Sequence, residues 1–175
     1  MARHADLHCH SRRSDGTLEP AEVVRRAKKA GVTLLVLTDH DSVSGFGEAR
    51  DEAARQGLDF ACGIEINTGE ADGIHVLGYG IDPASAALAE RLEVFRTRRQ
   101  SRVGLIVARL NALGVELTIE EVRGESTETL GRPHIADALR RKKLVKDRGD
   151  AFKRYLSHDA EAYVPPMGPT VAEAV

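Results

Sequence analysis

His8 and His10, in "ADLHCH", stand two residues apart. Residues i and i+2 of a β-strand share a face, so the two imidazoles can meet one cation. Asp15 follows in an "SDG" turn, and "TDHD" supplies Asp39, His40 and Asp41 directly after the apolar strand 33–37. Glu65 lies between Ile64 and Ile66, and His75 lies in "GIHVLG", again between apolar neighbours. Taken singly, a strand-end histidine is an ordinary hydrogen-bonding residue and an Asp before Gly an ordinary turn residue. Glu65 is different, because a carboxylate in a buried strand requires a charged partner. One site explains His8, His10, Asp15, His40, Glu65 and His75 together. Mixed imidazole and carboxylate donors suit zinc, manganese or iron better than calcium. Six donors exceed the needs of one tetrahedral ion, so two or more cations are expected, with Glu65 as the natural bridge. Glu65 and Asp39 are the candidate catalytic carboxylates. Cys9 points away from the face that His8 and His10 share and reads as a small buried hydrophobe.

The elements around these residues form an α/β pattern. The segment "ADLHCH" alternates as a strand, "EPAEVVRRAKKAG" reads as a helix with Pro20 in its first turn, and "VTLLVLT" as a strand buried on both faces. A second helix ends at Gly57, and the strands "LDFACGIEINT" and "GIHVLGYGI" follow with only a short link between them. Repeated β-α units argue for an α/β barrel or an open parallel sheet, whose functional groups gather at the carboxyl ends of the strands. From Pro83 the pattern changes. Leu88, Leu92, Phe95, Val103, Ile106, Leu110 and Leu113 mark one face of a long amphipathic helix, interrupted by Arg99. Further helices fit "TIEEVRG", "RPHIADALRRKKL" and "DAFKRYLSH", and another begins at about Thr170. The expected organisation is residues 1–83 as the first part of a barrel, 84–158 as a helical insertion and 159–175 as a return to the barrel. A full barrel takes about 250 residues, and this chain holds strands for about half of one.

Composition sets the setting. The chain has 175 residues, 42% hydrophobic and 30% charged, which is ordinary for a soluble globular protein. No apolar run approaches the roughly 18–20 residues that span a bilayer, "MARHADLH" lacks a secretory h-region, and Cys9 with Cys62 cannot build a disulfide framework. A cytoplasmic protein without a membrane partner is expected. Charge is uneven, with 16 Lys/Arg against 10 Asp/Glu over 84–158 and an acidic remainder. This asymmetry suits cation binding in one part and phosphate attraction in the other.

In order and spacing, "DLHCHSRRSDGTL", "LTDHDSVSG", "GIEINT" and "IHVLGYG" resemble the successive motifs of the PHP (polymerase and histidinol phosphatase) family. The later elements "GRPHIADAL", "AFKRYL" and "YVP" resemble the branch that includes ribonuclease AM and the 3′,5′-nucleoside-bisphosphate phosphatases. The resemblance implies part of a distorted (β/α)7 barrel with a trinuclear centre of manganese, iron or zinc. His8 and His10 would hold the first metal, Glu65 would bridge, His75 would serve the second, and Asp15 with His40 the third. The family places further ligands later, in an Ala-His-Pro-like element and an Asp-x-His pair. Nothing in 159–175 matches either, so the sequence reads as C-terminally incomplete.

The implied chemistry is phosphoester hydrolysis on a nucleotide or a short 5′-phosphorylated RNA. Arg132 and His134, in "GRPH", are the candidate phosphate-binding residues, because a guanidinium grips phosphate through two hydrogen bonds. Arg99 either lies along its apolar stripe with its head in water or reaches that phosphate. The run "RRKKLVK" reads as the solvated, dipole-favoured end of a helix or as a backbone-tracking patch. Two other readings stay open: a non-enzymatic metal-binding module, and an amidohydrolase-type enzyme, which also begins with His-x-His but cleaves C–N bonds. The oligomeric state is not encoded legibly.

Overall fold

The structure is a computed structural model that describes residues 4–70, 74–124 and 129–175. Its sheet has four strands in the order of the chain: β1 Ala5–Cys9, β2 Leu34–Leu37, β3 Asp59–Asn67 and β4 His75–Tyr79. The first three are parallel, joined by α1 Pro20–Lys29 and α2 Phe46–Gln56. β4 is antiparallel to β3, a departure from the parallel expectation. The link between β3 and β4, part of which (71–73) lies outside the described residues, is too short for a crossover helix, and a short link permits only the antiparallel return.

Register assigns the faces. Leu35 pairs with Phe60 and Leu37 with Cys62, and Leu35, Leu37 and partly buried Phe60 join one cluster with Val23, Val24, Ala49 and Ala53 of α1 and α2. On the same side Ile64 and Ile66 pack on Leu92 and Phe95. The register slips between Asp6 and Cys9, so Cys9 joins the helix-covered face and His8 and His10 take the other. Glu65 and Asn67 alternate onto that same second face, and Asn67 pairs with His75. Strand alternation thus sorts hydrocarbon to one side and the imidazole and carboxylate side chains to the other.

α3, Ala86–Ala112, serves two cores. Its first half carries Leu92 and Phe95 to the sheet, and its second half carries Val103, Ile106, Val107 and Leu110 into a cluster with Ile135, Leu139 and Leu156. That second cluster also holds Val122 of α4, Ile119–Arg123, and the buried residues of α5, Arg132–Arg141. Thr118 and Glu121 form a reciprocal cap at the start of α4, at 3.1 and 2.8 Å. "DAFKRYLSH" does not form one α-helix. α6 covers Arg148–Ala151 and passes into a π-helical turn over Phe152–Leu156, where Ser157 N–H donates to the Phe152 carbonyl at 2.8 Å. The chain then returns to the sheet. Gly69 N–H donates to Pro169 at 2.7 Å, and Gly168 lies so close to Asn67 that a Cβ there would overlap its carbonyl. α7, Val171–Ala174, closes the chain behind its Thr170 cap. No helix among the described residues is long and apolar enough to cross a membrane.

Candidate metal centre

Glu65 is the hub. Its carboxylate is 3% exposed, and Oε2 lies 2.8 Å from His8 Nε2 and 2.9 Å from His10 Nε2. Oε1 meets His75 Nδ1. His40 continues β2 as an isolated bridge to Glu65, which sets its ring beside the same carboxylate, Nδ1 at 3.6 Å. Asp15 closes the other side, Oδ1 at 3.4 Å from His10 Nδ1 and Oδ2 at 3.6 Å from His40 Nε2. Three overlapping sets result: His8, His10 and Glu65; His10, Asp15 and His40; His40, Glu65 and His75. Within each set, one donor atom per residue lies within 4.8 Å of the others. The structure therefore brings together all six residues proposed as ligands. His75 arrives differently from the others. It opens β4, so the antiparallel return places the start of that strand beside the carboxyl end of β3.

Electrostatics follow from this crowding. Burial pushes the Glu65 carboxyl up, but hydrogen bonds from His10 and His75 and the nearby His40 hold it well below the usual carboxylate range. Asp15 behaves alike, its burial outweighed by His40, His10 and Arg99. His10 is desolvated yet raised by Glu65 and Asp15, whereas burial lowers the more enclosed His40. Two ionised carboxylates among four imidazoles form a donor set that fits borderline divalent cations. The donor set is braced from behind: Asn67 Nδ2 lies 2.8 Å from His40 Nδ1 and 3.2 Å from Asp41 Oδ2.

The remaining candidates separate. The Asp39 carboxylate stands outside the three sets. It accepts hydrogen bonds from Ser11 N–H and Ser11 Oγ, both at 2.6 Å, and from Ser14 Oγ at 2.7 Å, so it fixes the loop that carries Asp15. Arg99 does not run out to solvent. Its side chain is 14% exposed, Nε donates to the Leu130 carbonyl at 2.8 Å, and Nη1 faces Asp41 at 3.6 Å. It borders a cavity of about 150 Å³ with Asp15, His40, His75 and Arg132. Arg132 donates to the Leu156 carbonyl at 3.3 Å and stacks over Phe152, the first residue of the π-helical turn. A Cβ on Gly131 would stand 2.6 Å from the Arg99 guanidinium, so glycine leaves room for it. His134 is not brought to this cavity. Its Nδ1 accepts from Gly131 N–H at 3.1 Å, leaving the proton on Nε2, which donates to the Ser14 carbonyl at 3.1 Å. Burial lowers its pKa, in keeping with a neutral strut between α5 and the loop after β1.

Sequence reasoning passed over Asn67 and Arg102. Asn67 stands two residues after Glu65 on one strand, and Arg102 borders the cavity three residues after Arg99 on one helix. The i+2 and i+3 rules would have found both.

The PHP domain signature matches residues 6–148. The chain is 38% identical over 173 residues to the 3′,5′-nucleoside bisphosphate phosphatase of Chromobacterium violaceum, covering 97% of this chain and 61% of that protein. It is 35% identical over 165 residues to a 5′-3′ exoribonuclease of Haemophilus influenzae, covering 94% and 60%. A solved Chromobacterium violaceum structure, described as an amidohydrolase with bound sulfate and no metal, superposes with a TM-score of 0.89 at 37% identity, over 98% of this chain and 62% of that one. The chain thus spans about three-fifths of the length of these curated relatives. With its four strands corresponding to part of the family's barrel and its histidines and carboxylates gathered at one mouth, the chain belongs to the PHP domain family.

Proposed function

We propose that the protein is a metal-dependent phosphoesterase that hydrolyses a phosphate ester of a nucleotide or a short 5′-phosphorylated RNA. One observation carries this reading: Asp15, His40 and His75 of the ligand sets line one small cavity together with Arg99 and Arg132. Cation donors on one wall and anion donors on the other suit a phosphate held between them. His8 and His10 with Glu65, His10 and Asp15 with His40, and His40 and Glu65 with His75 would hold two or three divalent cations. Manganese, iron and zinc are the candidates, and when bound they supply water activation and charge neutralisation at neutral pH. Glu65 shares its two oxygens among the sets and keeps them in register. Asp39 acts as a positioning residue through Ser11 and Ser14. Arg99 and Arg132 orient the phosphoryl oxygens, and the Asp41 carboxylate and Leu130 carbonyl keep Arg99 pointed at them. His134 holds the cavity wall and leaves the phosphate to the arginines.

The test uses the complete protein loaded with manganese or zinc. Phosphate release is measured from a nucleoside 3′,5′-bisphosphate and a 5′-phosphorylated oligoribonucleotide. Glu65→Gln and His10→Ala are expected to abolish release, and Arg99→Ala to lower kcat/KM about 10²-fold. Metal retained at stoichiometry without release from any ester would favour the metal-binding module instead. Cleavage of an amide but no ester would favour the C–N hydrolase.

A further inference from the structure

Across Asp15 from the cavity just described lies a second depression of about 390 Å³, and the Asp15 carboxylate borders both. Four arginines reach it from different elements: Arg12 from the loop after β1, Arg123 from the end of α4, Arg141 from the end of α5 and Arg148 from the start of α6. Of the two carboxylates that border it among the described residues, Asp15 belongs to the ligand sets. Asp137 is occupied by Arg148, whose Nε and Nη2 donate to it at 2.9 and 2.6 Å. Arg141 donates to the Glu121 carbonyl, which ties its head to α4 beside Arg123. A guanidinium carries five N–H donors in a fixed fork, so one anchoring bond leaves the rest for an anion. The His134 ring on the Ser14 carbonyl lines this second depression beside Asp15. Among the described residues no Phe, Tyr or Trp borders the second depression, and its one ring, His134, is held on the Ser14 carbonyl. Arg140, Lys143, Lys146 and Arg154, with Asp150, line a separate hollow at the end of α5.

We propose that the second depression is a track for the sugar–phosphate backbone of single-stranded RNA whose terminal nucleotide occupies the metal-side cavity. This rests on the phosphoesterase reading above and narrows its substrate to an oligonucleotide. A cavity of about 150 Å³ takes a terminal phosphate and part of its nucleoside, so the rest of a strand must leave it. Every further phosphate brings a negative charge, and the adjoining depression offers arginines. With no Phe, Tyr or Trp platform at the described border and the His134 ring already tied to Ser14, the grip is one on backbone and therefore tolerant of sequence.

The test compares two ligands on the complete protein in the presence of manganese. One is a 5′-phosphorylated hexaribonucleotide with phosphorothioate linkages, whose hydrolysis is slow; the other is a nucleoside 3′,5′-bisphosphate. Affinity is measured between about 50 and 200 mM KCl, the range over which phosphate contacts show their salt dependence. Arg123 is exposed and its side chain makes no hydrogen bond among the described residues, so Arg123→Ala and Arg123→Glu keep the fold; Arg141→Ala is tested beside them. Arg123→Ala is expected to weaken the hexanucleotide about five- to tenfold, Arg123→Glu more, and each lost contact to make the salt slope shallower by about 0.7. The bisphosphate, which ends at the metal-side cavity, should lose far less. Unchanged hexanucleotide affinity and slope in all three variants overturns the track, and so does an equal loss on both ligands. Arginine-dependent strand binding without any phosphate release keeps the track and sinks the phosphoesterase reading; phosphate release with an unaffected strand does the reverse.

Discussion

Asp39 and Asp41 flank His40, and the backbone sends their carboxylates to opposite places. Asp41 has φ +51, a left-handed conformation that costs a non-glycine residue roughly 1–2 kcal/mol. The turn aims its carboxylate at Asn67 and Arg99, while Asp39, still in strand-like register, takes both serines of the loop after β1. "TDHD" displays two carboxylates of equal promise, and only the sign of a dihedral angle separates them. The sequence reading set His134 on phosphate for a related reason, since its actual acceptor is a backbone carbonyl 120 residues away. Glu65, by contrast, was legible because a charge between two buried isoleucines has no bland explanation. Asp39→Asn removes charge from three hydrogen bonds and is expected to cost about 2–3 kcal/mol. For a chain of this size that lowers Tm by roughly 5–10 °C, measured by thermal unfolding, with the fold retained. The cysteines give a second expectation. Burial, with Asp6 and Asp39 nearby, pushes the Cys9 thiol up to about 12, and burial pushes Cys62 up to about 11. Both should stay protonated and resist iodoacetamide at pH 8 in the native state, then react on unfolding, as mass spectrometry of alkylated peptides would show.

At the scale of elements, the sequence marked nearly every helix and strand, and left open the direction of β4 and the winding of the turn after α6. Apolar alternation is the same in a parallel and an antiparallel strand, so β4 declared its direction only through the shortness of its link. The π-helical turn was hidden because its residues keep an ordinary helical pattern, and one extra residue in the turn is a matter of packing around Phe152. Gly168 likewise looks like one more turn glycine beside a proline. Gly168→Ala should force the return segment off Asn67, lower Tm by several degrees and weaken whatever binds beside Met167, which borders the cavity. The link between α5 and α6 has its own pH signature. Burial pushes the Asp137 carboxyl up, but the Arg148 guanidinium more than offsets this and leaves it below the ordinary value. A carboxyl lowered in the fold stabilises above its unfolded pKa and loses that contribution as pH falls through the folded value. Because Arg148 is well exposed, Asp137→Asn should cost only about 0.5–1 kcal/mol at neutral pH. In urea titrations the difference from the unsubstituted protein should begin to fade below about pH 4 and vanish in stronger acid.

At the scale of the molecule, α3 binds together two bodies of unlike character. One is a sheet whose second face is filled by ionisable groups; the other is a helical cluster that holds its own apolar core. The six ligand residues come from β1, the loop after it, the continuation of β2, β3 and β4, so a cation between them would cross-link every strand of the sheet. The helical cluster contributes none of them. Metal binding should therefore stabilise the molecule unevenly. With a free cation at about 100 times its Kd, the gain is about 2.7 kcal/mol, which for 175 residues raises Tm by roughly 5–10 °C. The measurement is thermal unfolding after chelation, repeated with manganese or zinc restored. Hydrogen exchange then locates the effect, with slower exchange expected around His8–Asp15, Asp39–Asp41 and Glu65 and little change within Arg132–Arg141. His10→Ala, which breaks two of the three sets at once, should erase both the rise and its localisation. A rise that survives in His10→Ala, or protection spread evenly into α5, would place the cation elsewhere and dissolve the link between the sheet's ionisable face and its chemistry.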